Sequence, residues 1–212
     1  MTRIRTLVSS LAILVLLATT ALAQAARPLS PPGTANTQVG GKWTVDKDGE
    51  RTYTGGKWIE VTYSRPILRG RADLFGKGAE YGKQVTGDAP LWRAGANLTT
   101  RIKTEVPIEI GGKRLEPGEY SLFVDLKEPA WTLVVSNQPA QTKFDPNEKK
   151  ATAGAYNYDP KFDLVRVPMQ MAKPAFSVDQ FTIAFVDMTD QGGKLAMVWD
   201  KTGAVVPFKV VS

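Results

Sequence analysis

Short runs of alternating apolar and polar residues make up most of the chain, and clusters of Gly, Pro, Asp and Asn separate these runs. In residues 57–63 (KWIEVTY), Ile59, Val61 and Tyr63 occupy every second position, and residues 180–188 show the same period. Alternate side chains of a strand point to opposite faces, so this period is typical of half-buried strands. No sustained helical period accompanies it. The sequence therefore predicts an all-β, single-domain β-sandwich, jelly-roll-like, with about nine strands.

Turn sequences indicate how neighbouring strands pair. Asp48-Gly49 separates two short runs of β-branched and aromatic residues, which predicts a hairpin. Residues 200–203 (DKTG) separate the last two strand-like runs in the same way. In contrast, residues 65–98 show little strand pattern, and we expect a long structured loop there. Loops of that length often carry function.

The N-terminus has the features of a cleavable signal peptide. Arg3 and Arg5 precede an apolar run from Leu7 to Ala18, and residues 21–23 (ALA) match a small-x-small cleavage site. The run is shorter than the roughly 20 residues that a membrane-spanning helix needs. We therefore expect cleavage, export to the periplasm or the extracellular space, and no transmembrane segment in the mature chain. An uncleaved N-terminal anchor is the alternative.

The expected domain organisation has three parts. Residues 1–23 form the signal peptide. Residues 24–41 contain three prolines and no periodicity, which predicts a flexible leader. Residues 42–212 form the β-sandwich domain.

Histidine and cysteine are both absent from the chain. Their absence excludes Ser-His-Asp and Cys-His catalysis and removes the commonest metal ligand. We also find no P-loop, no dinucleotide motif and no calcium-loop spacing, so no cofactor and no metal are predicted. The 27 basic residues are scattered among 21 acidic ones, which argues against nucleic acid as a partner. These features favour a protein that is not an enzyme.

Five groups of residues occur in an order that is specific although each group alone is short. They are Tyr63-Ser64-Arg65-Pro66, Arg69-Gly70-Arg71 with Phe75-Gly76, residues 92–97 (WRAGAN), residues 118–123 (GEYSLF), and Tyr158-Asp159 with Asp163 and Arg166. Over about residues 57–210 the chain thereby resembles the bacterial family called domain of unknown function 2911. Members of this family look like exported proteins that are mostly β and have no established activity. The resemblance implies a fold and a compartment, and it transfers no catalytic residue.

Six residues in the loop-rich stretch 65–98 suggest a binding site. They are Arg65, Arg69, Arg71, Trp92, Arg93 and Asn97. Guanidinium groups bind carboxylate or phosphate through paired hydrogen bonds, and an aromatic neighbour offers a surface on which a sugar can stack. This combination predicts a site for an anionic small molecule or an acidic glycan. In the alternative interpretation, the arginines anchor the loop by pairing with Asp73, Glu80 and backbone carbonyls, while Trp92 fills the core.

Function itself stays open at this point. The features above favour a non-catalytic exported binding or interaction module of the cell envelope. One alternative is a carboxylate-dependent hydrolase of envelope glycans, which needs two acids across a cleft, such as Asp159 with Asp163 or Glu60 with Glu119. The other alternative is a structural envelope protein.

Overall fold

The structure is a computed structural model, and it describes residues 28–212. The predicted signal peptide lies outside these residues. Two large antiparallel sheets pack face to face, so the predicted all-β sandwich is confirmed. Within residues 28–212, no helix has the length and apolarity that a membrane span requires.

Fourteen strands occur in the described part of the chain. They are β1 (Pro32–Val39), β2 (Lys42–Val45), β3 (Arg51–Thr54), β4 (Lys57–Ser64), β5 (Thr100–Thr104), β6 (Ile108–Ile110), β7 (Lys113–Leu115), β8 (Gly118–Asp125), β9 (Thr132–Ser136), β10 (Asp163–Pro168), β11 (Gln170–Ala172), β12 (Val178–Thr189), β13 (Gly192–Asp200) and β14 (Thr202–Val210). The helical elements described are α1 (Lys83–Thr86) and two 3-10 turns, Gly78–Glu80 and Pro160–Phe162.

The strands form two main sheets and one separate hairpin. Sheet one has the order β1–β4–β5–β8–β9–β10, and sheet two has the order β12–β13–β14–β6–β7, with β11 also paired to β14. The hairpin of β2 and β3 closes at Gly49, as the sequence predicts. Gly49 has a φ of 83°, a left-handed conformation that glycine adopts without a steric cost.

The structure has fourteen strands, whereas the sequence predicted about nine. Among the strands that were not anticipated are β1, β7 and β11, and β1 also corrects the extent of the leader. Pro32–Val39, inside the stretch predicted to be a flexible leader, forms the edge strand β1 and pairs with β4 along its whole length. Its proline stands first in the strand, where an edge tolerates it, and Ala35 and Val39 are buried. β7 and β11 have only three residues each, too few to show alternation.

The core lies between the two sheets. Sheet one contributes the inward residues of β4, namely Ile59, Val61 and Tyr63, which are the side chains that the alternation had placed on one face. An aromatic cluster closes one end of this core. Its members are Phe75, Trp92, Trp131, Phe181 and Trp199. This cluster lies beneath the candidate site.

The outer face of sheet one is partly covered by loops. Phe123 and Val134 point outward from β8 and β9 and form a second, smaller core with Leu91 and Ala155. Residues 137–162, which connect β9 to β10, therefore lie against the sheet instead of extending into solvent. This packing brings the loop close to residues 92–98.

Candidate functional site

Main-chain hydrogen bonds tie residues 65–98 to both sheets. Near its start, the amide of Leu68 donates to the carbonyl of Asp179 over 2.6 Å. Near its end, Trp92 and Val124 exchange two backbone hydrogen bonds of 2.9 and 2.8 Å. The loop is thus hydrogen-bonded to the sheets near both ends, which fixes the backbone that carries its polar side chains.

Five of the six side chains predicted as a binding site line one cavity of about 500 Å³. They are Arg69, Arg71, Trp92, Arg93 and Asn97. Trp92 is fully buried beneath the cavity and fills the core, as the alternative interpretation expected, so it offers no stacking surface. Trp199 at the end of β13 adds a wall that sequence reasoning did not identify. A cavity of this size falls within the range of small-molecule sites.

Arg71 rests on the aromatic base of the cavity. Its guanidinium carbon lies 4.9 Å from the ring centroid of Trp199, a cation–π contact. Its Nε donates to the carbonyl of Leu68 over 3.1 Å, and its Nη2 donates to that of Ile67 over 2.9 Å. These contacts hold the planar group in one orientation.

Arg93 is half-buried and is fixed by its neighbours. Its Nη1 donates to the carbonyl of Asn97 over 2.9 Å, and its guanidinium carbon lies 5.8 Å from the ring centroid of Tyr156. Gly154 leaves room for this group: a Cβ there would lie 2.5 Å from Arg93 Nη1. Asn97 is in turn held by its amide, which donates to the carbonyl of Ser30 over 3.1 Å.

Backbone strain concentrates along the same loop. Arg69, Ala94 and Asn97 all have φ near +50 to +60° (52°, 49° and 59°), the left-handed region that non-glycine residues seldom adopt. Asn tolerates this conformation best, whereas Arg and Ala occupy it at a cost of order 1 kcal/mol each. Such strain is common at ligand sites, where the surrounding fold maintains it.

Arg65 does not line the cavity. Its Nε donates to the carbonyl of Phe181 over 3.4 Å, and its Nη2 donates to Thr182 Oγ1 over 3.2 Å. Its side chain also lies against Gly33 of the edge strand β1. Arg65 therefore joins the start of the loop to β12 and follows the anchoring interpretation.

The cavity carries an excess of positive charge. Among the described residues that line it, none has a carboxylate. Eight ion pairs occur within residues 28–212, and none of them involves Arg65, Arg69, Arg71 or Arg93. Glu80, one proposed anchor, pairs with Lys83 instead. Arg65, Arg71 and Arg93 instead donate to backbone carbonyls, and Arg71 and Arg93 also lie against aromatic rings.

The acids considered for a hydrolase lie outside this cavity. Glu60 and Glu119 flank Lys103 across three adjacent strands, so a lysine stands between the two carboxylates. Asp159 pairs with the exposed Lys161. These acids are held in local ion-pair and cross-strand arrangements.

Asp163 belongs to a separate polar network that joins β10 to the loop before it. Its Oδ2 accepts from Tyr158 (2.5 Å) and from Arg166 (2.7 Å), and Arg166 also donates to Asp125 of β8 over 3.0 Å. Burial, and then the hydrogen bond to Asp163, raises the pKa of the Tyr158 phenol. This network fastens residues 137–162 to sheet one.

The comparisons with known proteins identify a family and no activity. The model of the family described as "Protein of unknown function (DUF2911)" matches residues 47–208, which confirms the resemblance found in the sequence. None of the curated proteins and none of the solved structures matches.

Proposed function

The chain belongs to the family of proteins of unknown function 2911, and we propose that it is an exported, non-catalytic protein that binds a small anionic ligand in the arginine-lined cavity. The ligand is a carboxylated or phosphorylated compound, such as an acidic sugar. Guanidinium groups suit both anions because their paired N–H groups match two oxygens of either one.

One observation carries this proposal. Arg69, Arg71 and Arg93 line the same cavity, and within residues 28–212 no acid forms an ion pair with any of them. Gathering three like charges without counterions is unfavourable in the free protein, and an anionic ligand would relieve that repulsion. The contacts that fix Arg71 and Arg93 reduce the cost of ordering them when the ligand binds.

Titration calorimetry with sugars of matched shape tests the proposal. We expect glucose 6-phosphate and glucuronate to bind the purified protein, while neutral glucose does not. Arg69→Ala should lower the affinity for both anions at least tenfold. Arg101→Ala is the matched control, since Arg101 is paired with Glu119 outside the cavity. Absence of binding by both anions, or equal losses in the two variants, would contradict the proposal.

Export has its own test. We propose that the signal peptide is removed after Ala23, as the apolar run and the ALA sequence indicate. Mass spectrometry of the protein recovered from the periplasm or the medium should then find Gln24 as the first residue. Recovery of the chain only from the cytosol with Met1 intact would contradict export and leave the ligand question separate.

A further inference from the structure

A second cleft adjoins the arginine-lined cavity and shares two residues with it. Arg93 and Asn97 line both spaces. The other lining residues come mainly from the loop between β9 and β10 and are largely apolar: Leu98, Thr142, Lys143, Phe144, Ala153 and Tyr156. We call this space the aromatic cleft.

The two rings of the aromatic cleft are unusually open to solvent. Phe144 is 65% exposed and Tyr156 is 49% exposed. Large apolar side chains that stay exposed beside a concave surface are typical of places where a ligand covers them. Tyr156 also faces the guanidinium of Arg93, the residue that lines both spaces.

The loop that carries these rings is held in place by buried polar side chains. Gln141 accepts a hydrogen bond from the amide of Asp145 (2.8 Å) and donates to the carbonyls of Asp145 and Glu148 (3.2 Å each). Thr99 Oγ1 donates to the carbonyl of Gly154 over 2.7 Å. The backbone beside both rings is therefore ordered before any ligand arrives, which lowers the entropic cost of binding there.

We infer that the ligand is an amphiphilic anion, with an apolar or aromatic group joined within a few bonds to its charged group. This inference rests on the proposed function, because the charged group binds in the arginine-lined cavity. The apolar group passes Arg93 and covers Phe144 and Tyr156. Lys143 at the rim of the cleft adds further attraction for an anion.

Two phosphate monoesters that differ only in their apolar group test this inference. We expect phenyl phosphate to bind the wild-type protein about tenfold more tightly than methyl phosphate, because the ring loses much of its contact with water. Phe144→Ser should remove most of that gain and leave the affinity for methyl phosphate unchanged. Phe176→Ser is the matched control, since Phe176 is 71% exposed and lines neither space. Titration calorimetry measures both esters on all three proteins.

The outcomes separate the inference from the proposed function. If neither ester binds, both fail together. If methyl phosphate binds and phenyl phosphate binds no more tightly, or if the gain survives in Phe144→Ser, only the inference fails. Co-sedimentation with phosphatidylcholine vesicles, with and without phosphatidic acid, distinguishes a lipid ligand from a soluble one. Binding of the protein to phosphatidic acid vesicles that is lost in Phe144→Ser indicates a lipid. Tight binding of phenyl phosphate without binding to vesicles indicates a monomeric ligand.

Discussion

The guanidinium carbon of Arg71 lies over the ring of Trp199, at 4.9 Å from the ring centroid. Arg71 belongs to a loop that precedes β5, whereas Trp199 closes the inner face of β13 in the other half of the chain. A charged loop residue is thus oriented by the hydrophobic core of the sandwich. The same relationship explains why the cavity has an apolar base and cationic walls.

Replacing Arg71 by lysine should weaken anion binding although the charge is kept. An ammonium group cannot donate to the carbonyls of Ile67 and Leu68 and present a flat face to Trp199 at the same time. We expect Arg71→Lys to lower the affinity for glucose 6-phosphate about fivefold to tenfold by calorimetry, a change of about 1 kcal/mol. Arg114→Lys, at an exposed ion pair outside the cavity, is the control. Wild-type affinity in Arg71→Lys would mean that only the charge matters.

Replacing Arg65 by alanine should mainly reduce stability, whereas replacing Arg69 by alanine should mainly reduce anion affinity. Arg65 joins the loop to β12, so its loss should lower the free energy of unfolding by about 1–2 kcal/mol and leave anion affinity nearly unchanged. Arg69 is exposed and in a left-handed conformation, so its loss should lower affinity and leave stability within about 0.5 kcal/mol of wild type. Urea unfolding and calorimetry on both variants check this. If the two variants changed stability and anion affinity in the same way, Arg65 and Arg69 would not have separate anchoring and ligand-binding roles.

Gly154→Ala should impair binding through Arg93. The new Cβ would meet the end of that side chain and displace the guanidinium. Gly112→Ala supplies the comparison, because Gly112 has a similar positive φ and no atom within 4 Å of an added Cβ. Both variants should lose about 1 kcal/mol of stability from the left-handed backbone. Only Gly154→Ala should also lose affinity for glucose 6-phosphate, and equal affinities would show that the position of Arg93 is unimportant.

Tyr158→Phe should reduce stability at neutral pH and change its dependence on alkaline pH. The substitution removes a hydrogen bond to a buried carboxylate, at a cost of about 1–3 kcal/mol. Because folding raises the pKa of Tyr158, the folded protein keeps the phenol proton where the unfolded chain loses it. This stabilisation is complete below about pH 10 and declines as the pH rises further.

Urea unfolding from about pH 9 to about pH 11 measures this effect. The wild type should lose more stability over that interval than Tyr158→Phe does. Tyr156→Phe, an exposed phenol on the same loop, should match the wild type at neutral pH. Parallel curves for wild type and Tyr158→Phe would show that the Tyr158 proton is not linked to folding.

Local patterns were sufficient to predict the parts of the fold that depend on neighbouring residues. The alternation in β4 identified its buried face, and Asp48-Gly49 identified a hairpin. β1 was missed because only Ala35 and Val39 of its eight residues are fully buried. Its strand conformation comes from pairing with β4, a contact between residues distant in sequence.

The candidate site was predictable only where its residues are close together in the sequence. Arg69, Arg71 and Arg93 stand within one loop, so their clustering was visible directly. Trp199 and Tyr156 come from distant segments, and no local signal linked them to the arginines. Their arrival at the site depends on sheet packing and on the folding of residues 137–162 against β8 and β9.

A crystal structure of the protein soaked in tungstate, a heavy analogue of phosphate, tests the central claim most directly. The account predicts an anomalous peak in the cavity, with its oxygens about 3 Å from guanidinium nitrogens of Arg69, Arg71 and Arg93. Tungstate bound only at other surfaces, with the cavity open to solvent and free of anomalous signal, would contradict the account.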